Sequence, residues 1–88
     1  MNEALRLDKW LWFARLTKSR SVAQKLIEQG GISINYCAVA KASQMVRPGD
    51  ELALLAERGD RRLRVVALAE RRGPATEAQL LYEDLVTE

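Results

Sequence analysis

Histidine is absent from this sequence, and cysteine occurs once, as Cys37. The two scarcities exclude an internal disulfide, a zinc site built from Cys and His, and a Ser-His-Asp or Cys-His nucleophile pair. Catalysis would fall to carboxylates and lysines alone, in an 88-residue chain with little room for a cleft. No enzymatic activity, metal, cofactor or small-molecule substrate is therefore expected. Long apolar runs are missing too: none approaches the ~18 residues of a bilayer-spanning helix, so no membrane partner is expected. The opening MNEALRLDKW is charged where a signal peptide would be apolar, which makes the cytoplasm the expected location. Around Cys37 the stretch NYCAV offers no helix end and no base to activate a thiol, so this cysteine reads as an inert small side chain.

What is present is a globular composition, 48% hydrophobic and 30% charged. The net charge of +2 hides an asymmetry. Residues 1 to 50 carry eight Lys and Arg against four Asp and Glu, whereas residues 51 to 88 carry six against eight. Within residues 1 to 25 the six bases Arg6, Lys9, Arg15, Lys18, Arg20 and Lys25 face only Glu3 and Asp8. Such a local excess points to a polyanion, through sequence-independent attraction to phosphate.

Helical spacing appears first in LDKWLWFARL, with Asp8 as expected cap. Leu7, Trp10, Leu11 and Ala14 fall on one arc, while Lys9, Trp12 and Arg15 turn away from it. Trp10 is then a core residue. Trp12 either packs on a second side of the helix or offers its ring to a base or ribose. A second helix is predicted from Ser19 to Gln29, capped by Ser19 or starting two residues later through the S-x-x-Q pattern of Ser21 and Gln24. Val22, Ala23, Leu26 and Ile27 form its apolar side; Arg20, Ser21, Gln24, Lys25 and Glu28 form the other, and Gly30 supplies the left-handed end.

After the glycines the period shortens to that of strands. ISIN, part of YCAVAKAS, residues 51 to 56 after the RPGD turn, and RRLRVVALA read as four strands, with ERGD as a hairpin turn. RRGP then breaks the chain before a last short helix starting at Ala75 or Thr76, with Ala78, Leu81 and Tyr82 as its apolar side. The acidic end reads as solvated. The fold class is thus α+β, two N-terminal helices on a small antiparallel sheet with a short C-terminal helix. Residues 1–67 form the main domain and 68–88 a C-terminal extension.

The start of the second helix is the most informative place. Its first turn exposes unpaired N–H groups and the positive end of the macrodipole, and Lys18 and Arg20 add full charges there. Ser19 and Ser21 can cap or donate to a phosphate oxygen, and Arg20, Gln24 and Lys25 continue the same surface along adjacent phosphates. The alternative is an ordinary solvated face. Arg61, Arg62, Arg64, Arg71 and Arg72 could form a second basic strip, with Glu57, Asp60 and Glu70 near enough to pair with them.

Residues 6 to 54 resemble an S4-like RNA-binding domain. The opening RLDKWLW, the helix KSRSVAQKLIEQG, the strand ending at Asn35 and the R-P-G-D turn occur in that family's order and approximate spacing. Both tryptophans and the tail VVALAERRGPATEAQLLYED are similar to the small bacterial heat-shock branch. The resemblance implies a four- to five-stranded sheet and a stand-alone, ribosome-associated factor on the large subunit, binding ribosomal RNA and trapped peptidyl-transfer RNA, with a part in ribosome quality control. It implies an RNA face of Arg6, Lys9, Arg15, Lys18, Ser19, Arg20, Gln24, Lys25, Asn35 and Lys41, with Trp12 as the stacking candidate. Tyr36 stands where the family's Asn-Gly turn has glycine, which predicts a reshaped turn, and Cys37 replaces a frequent lysine. Two other readings compete: a protein-interaction module without RNA binding, and a targeting fragment of a modification enzyme. No catalytic domain follows to support the second.

Overall fold

A computed structural model describes residues 3–55 and 61–85. In chain order the elements are β1 (Leu5–Arg6), α1 (Leu7–Phe13), α2 (Arg20–Glu28), β2 (Ile32–Ile34), β3 (Cys37–Ala38), β4 (Met45–Val46), β5 (Glu51–Leu54), β6 (Arg61–Val65), α3 (Ala75–Ala78), a 3-10 turn (Gln79–Leu81) and β7 (Tyr82–Asp84). β1 and β4 form a two-stranded ribbon, and the other strands form an antiparallel sheet in the order β3-β2-β5-β6-β7. The class is α+β, as the alternation of periods predicted.

The two N-terminal helices lie on the inner face of that sheet. Leu7, Trp10 and Leu11 of α1 and Ala23 and Ile27 of α2 join Ile32, Leu52, Leu63 and Val65 in one buried cluster. Alternation fixes which strand residues enter it: Leu63 and Val65 point inward, and Arg62 and Arg64 point away. Removal of this apolar surface from water is the main stabilising term. Val22, assigned to the apolar side of α2, is 43% exposed because it lies at the margin of that arc.

Ser19 caps α2 as predicted, its hydroxyl oxygen accepting from the Val22 N–H at 3.2 Å. Gly30 at φ 79° ends it, with its N–H on the Ile27 carbonyl and the Gly31 N–H on the Leu26 carbonyl. Asp8 does not cap α1. The residue at the cap position is Arg6, and the Leu7 and Asp8 N–H groups donate instead to the carbonyls of Gln44 and Ala42. The loop before β4 thus seals the start of α1, a long-range arrangement that no local pattern announces.

The turn at Asn35 and Tyr36 keeps its shape despite the missing glycine. Ile34 pairs with Cys37, and both loop residues take left-handed backbone, φ 49° and 71°, the geometry of a type I′ hairpin. RPGD makes the predicted turn, Asp50 N–H to Arg47 carbonyl at 3.1 Å, with Gly49 at φ 99°. The ERGD turn expected at 57–60 lies outside the described residues.

The tail corrects two expectations. Helix α3 is a single turn, and Tyr82 belongs to β7, opposite Val65 and edge-on to Trp10 with ring centres 6.4 Å apart. The acidic segment is not simply solvated: Glu83 and Asp84 lie opposite Arg64 and Leu63 and pair with Arg64 and Arg61. A boundary at residue 67 therefore falls between two strands of one sheet.

Candidate nucleic-acid interface

Asp8 is the organising group, and charge patterning alone had concealed it. Its side chain has no exposed surface. Arg6 donates to both carboxylate oxygens, Nε to Oδ1 at 3.1 Å and Nη2 to Oδ2 at 3.0 Å. From α2, Arg20 Nη2 and Gln24 Nε2 reach Oδ2 at 3.3 and 3.0 Å, and the Lys9 N–H donates to Oδ1 at 2.8 Å. Arg20 and Gln24 are four apart, so one helical turn delivers both to the same point. Burial alone would push the Asp8 carboxyl up; the Gln24 amide, the two guanidiniums and the Lys9 N–H outweigh it and hold the group below the usual carboxylate range.

Arg6 and Arg20 are thus ion-paired, yet they remain 42% and 37% exposed, so each also meets solvent. Around them, Lys18, Lys25 and Lys41 are exposed and Lys9 is half-buried; none of the four makes an ion pair among the described residues. Lys18 stands directly before the Ser19 cap, and Lys41 precedes Ala42, whose carbonyl receives the Asp8 N–H at 3.4 Å. Because Ser19 accepts from the Val22 N–H, its own hydroxyl hydrogen is left to donate.

Three predicted site residues have tasks within the fold. Asn35 donates to Asp50 Oδ1 at 3.1 Å and accepts from the Glu51 N–H at 2.9 Å, tying the hairpin to the RPGD turn. Arg15 donates through Nε to the Gly73 carbonyl at 2.8 Å. Trp12 carries the Arg72 guanidinium 5.6 Å from its ring centre, and Arg72 Nε donates to the Trp12 carbonyl at 3.1 Å. Arg15 and Trp12 therefore meet the C-terminal extension instead of joining Arg6, Arg20 and Gln24 at Asp8.

Of the second basic strip, four arginines pair with carboxylates among the described residues, and Arg72 instead meets Trp12; the expected partners Glu57 and Asp60 lie outside the described residues. Arg61 pairs with Asp84 at 2.8 Å, Arg62 and Arg64 with Glu51 at 3.7 and 3.2 Å, and Arg71 with Glu77 at 3.5 Å. The hydrogen bond to Asp84 raises the Arg61 pKa further above its ordinary value. Among the described residues the four first-half lysines, like Arg15, Arg47 and Arg72, have no carboxylate partner, whereas four arginines of the second half pair within the sheet and tail. Among the described residues no cluster of His, Cys, Asp or Glu could hold a metal, and no helix is long and apolar enough to cross a membrane.

Comparison with known proteins gives concordant matches. The S4 domain model matches residues 5–52. Heat shock protein 15 homolog of Haemophilus influenzae and heat shock protein 15 of Escherichia coli strain K12 are each 42% identical over 91% of this chain. The chain spans 60% and 59% of their respective lengths. RQC P-site tRNA stabilizing factor of Bacillus subtilis is 52% identical over 50 residues, 57% of either chain. In three dimensions the trimeric structure of Vibrio cholerae heat shock protein 15 superposes with a TM-score of 0.85 at 36% identity, covering 94% of this chain and 83% of that one.

Proposed function

The chain belongs to the S4 domain family, in its heat shock protein 15 branch, and from that premise we propose that it binds structured ribosomal or transfer RNA through phosphate contacts. The observation that carries this reading is that Lys9, Lys18, Lys25 and Lys41, which have no carboxylate partner among the described residues, each adjoin in sequence a residue of the site that holds the half-exposed Arg6 and Arg20: Asp8, the Ser19 cap, Gln24 and Ala42. Backbone and shape count for more than base edges, because an RNA duplex hides its bases in a deep, narrow groove. The relatives named for stabilising P-site tRNA favour a place on the large ribosomal subunit, in the cytoplasm, with peptidyl-transfer RNA held on a stalled nascent-chain complex.

Replacing Lys18 and Lys25 with alanine tests the reading, since neither side chain makes an ion pair among the described residues. Affinity should fall for unrelated RNA sequences alike, and the slope of log affinity against log salt should shrink by about 2. Unchanged affinity, with ribosome cosedimentation that survives nuclease, would establish a protein-interaction module instead.

A further inference from the structure

We infer that Asp8 is a positioning residue for RNA binding: its buried carboxylate fixes Arg6 and Arg20 in one orientation so that their outer edges face the phosphate chain. This rests on the reading above. Two separate segments meet at this group, the continuous β1 and α1 with Arg6 and Asp8, and α2 with Arg20 and Gln24. A free arginine samples many rotamers and loses that freedom when it grips a phosphate; an arginine already held does not. Arg20 shows what holds it. Its Nε is buried and has no hydrogen-bond partner, so the bond from Nη2 to Asp8, and not a full set of contacts, sets its direction.

A fixed carboxylate here has an electrostatic disadvantage. It places a negative charge within a surface meant for a polyanion, and simple Coulomb attraction predicts that removing it strengthens binding. Positioning predicts the reverse. Asn at this position keeps the shape, but its single carbonyl oxygen replaces only one of the two carboxylate oxygens, Oδ1 with the Lys9 N–H or Oδ2 with Gln24. Its amide NH2 meets the arginine donors at the other, so the charge-assisted arginine contacts are weakened or lost.

The experiment uses the whole chain with bulk transfer RNA as probe. Asp8→Asn should bind about ten-fold more weakly despite its added net positive charge. In an Arg6→Ala/Arg20→Ala background the same substitution should no longer weaken binding, and only the Coulomb gain from removing the carboxylate should be left. Equal or tighter binding by D8N, or a loss that persists without the two arginines, overturns the inference. If D8N does not fold by circular dichroism, relaxation of the arginine Nε–H groups in the unaltered protein decides: Arg6 and Arg20 should be as ordered as the backbone, whereas motion as free as that of exposed Arg47 rejects the idea. Lys18→Ala/Lys25→Ala separates the two levels. If that variant binds normally, the RNA reading fails; if it weakens binding while D8N does not, only the positioning role fails.

Discussion

Arg15 and Gly30 occupy the same position in two helix ends, each the left-handed residue just beyond the cap, at φ 59° and 79°. The hydrogen bonds match as well, with Arg15 N–H to the Trp12 carbonyl and Leu16 N–H to Leu11 repeating those of Gly30 and Gly31. Glycine takes this conformation freely, whereas arginine gives up about 1 kcal/mol. Arg15 has a compensating bond from Nε to the Gly73 carbonyl at 2.8 Å. Arg15→Ala, which keeps the strain and loses the bond, should cost about 1 kcal/mol. Arg15→Gly should be close to neutral. Chemical denaturation of the two variants checks the order.

Tyr36 is strained and exposed together. It sits at φ 71° with 77% of its surface open, the Arg62 guanidinium 4.7 Å from its ring centre. Tyr36→Gly should stabilise the hairpin by up to about 1 kcal/mol, less about 0.5 kcal/mol for the lost guanidinium contact. Asn35→Ala should go the other way by about 2 kcal/mol, because it removes two side-chain hydrogen bonds and leaves a residue that tolerates φ 49° poorly. Melting temperatures of the pair should therefore move in opposite directions.

The response to pH follows from Asp8 and Asp84, both held below the carboxylate value of 3.8. Their stabilisation is complete above that value and is lost as pH falls through the depressed folded values. With no histidine in the sequence, no side-chain titration of that type intervenes between pH 5 and 8. Thermal stability should be level across that interval and decline below about pH 4. Asp8→Asn should flatten the acid limb of the profile, which a series of melts from pH 2 to 8 would reveal.

Removing residues 82–88 should weaken the whole fold, because β7 pairs with β6 and Tyr82 meets the buried Trp10. A loss of about 2 to 4 kcal/mol is expected from the large aromatic side chain and the strand it carries. RNA affinity per folded molecule should stay the same, since among the described residues none of Lys18, Lys25, Arg6 or Arg20 makes an ion pair with that segment. A separable tail would leave the unfolding midpoint where it was.

The parts legible in the sequence were those governed by neighbours along the chain. The arc of Ala23 and Ile27, the Ser19 cap and the Gly30 end all rest on spacing of four residues or fewer, and the structure keeps them. Non-local pairing decided the rest. Tyr82 fits a helical spacing with Ala78 and Leu81, but Arg61 and Arg64 draw Asp84 and Glu83 into an edge strand. Asp8 carries a cap's signature, yet residues 12 and 16 positions away surround it. A sharper sign was available: it is one of two acids among six bases, and Arg20 and Gln24 stand one turn apart.

Both indoles touch the chain that follows β6, Trp10 by donating from Nε1 to the Ala67 carbonyl at 3.0 Å and by its edge contact with Tyr82, Trp12 beneath Arg72. The chain thus contains its own optical reporter. Detachment of the segment from Ala67 to Asp84 would wet one indole and uncover the other, so a red shift in tryptophan emission would register that event without any added label.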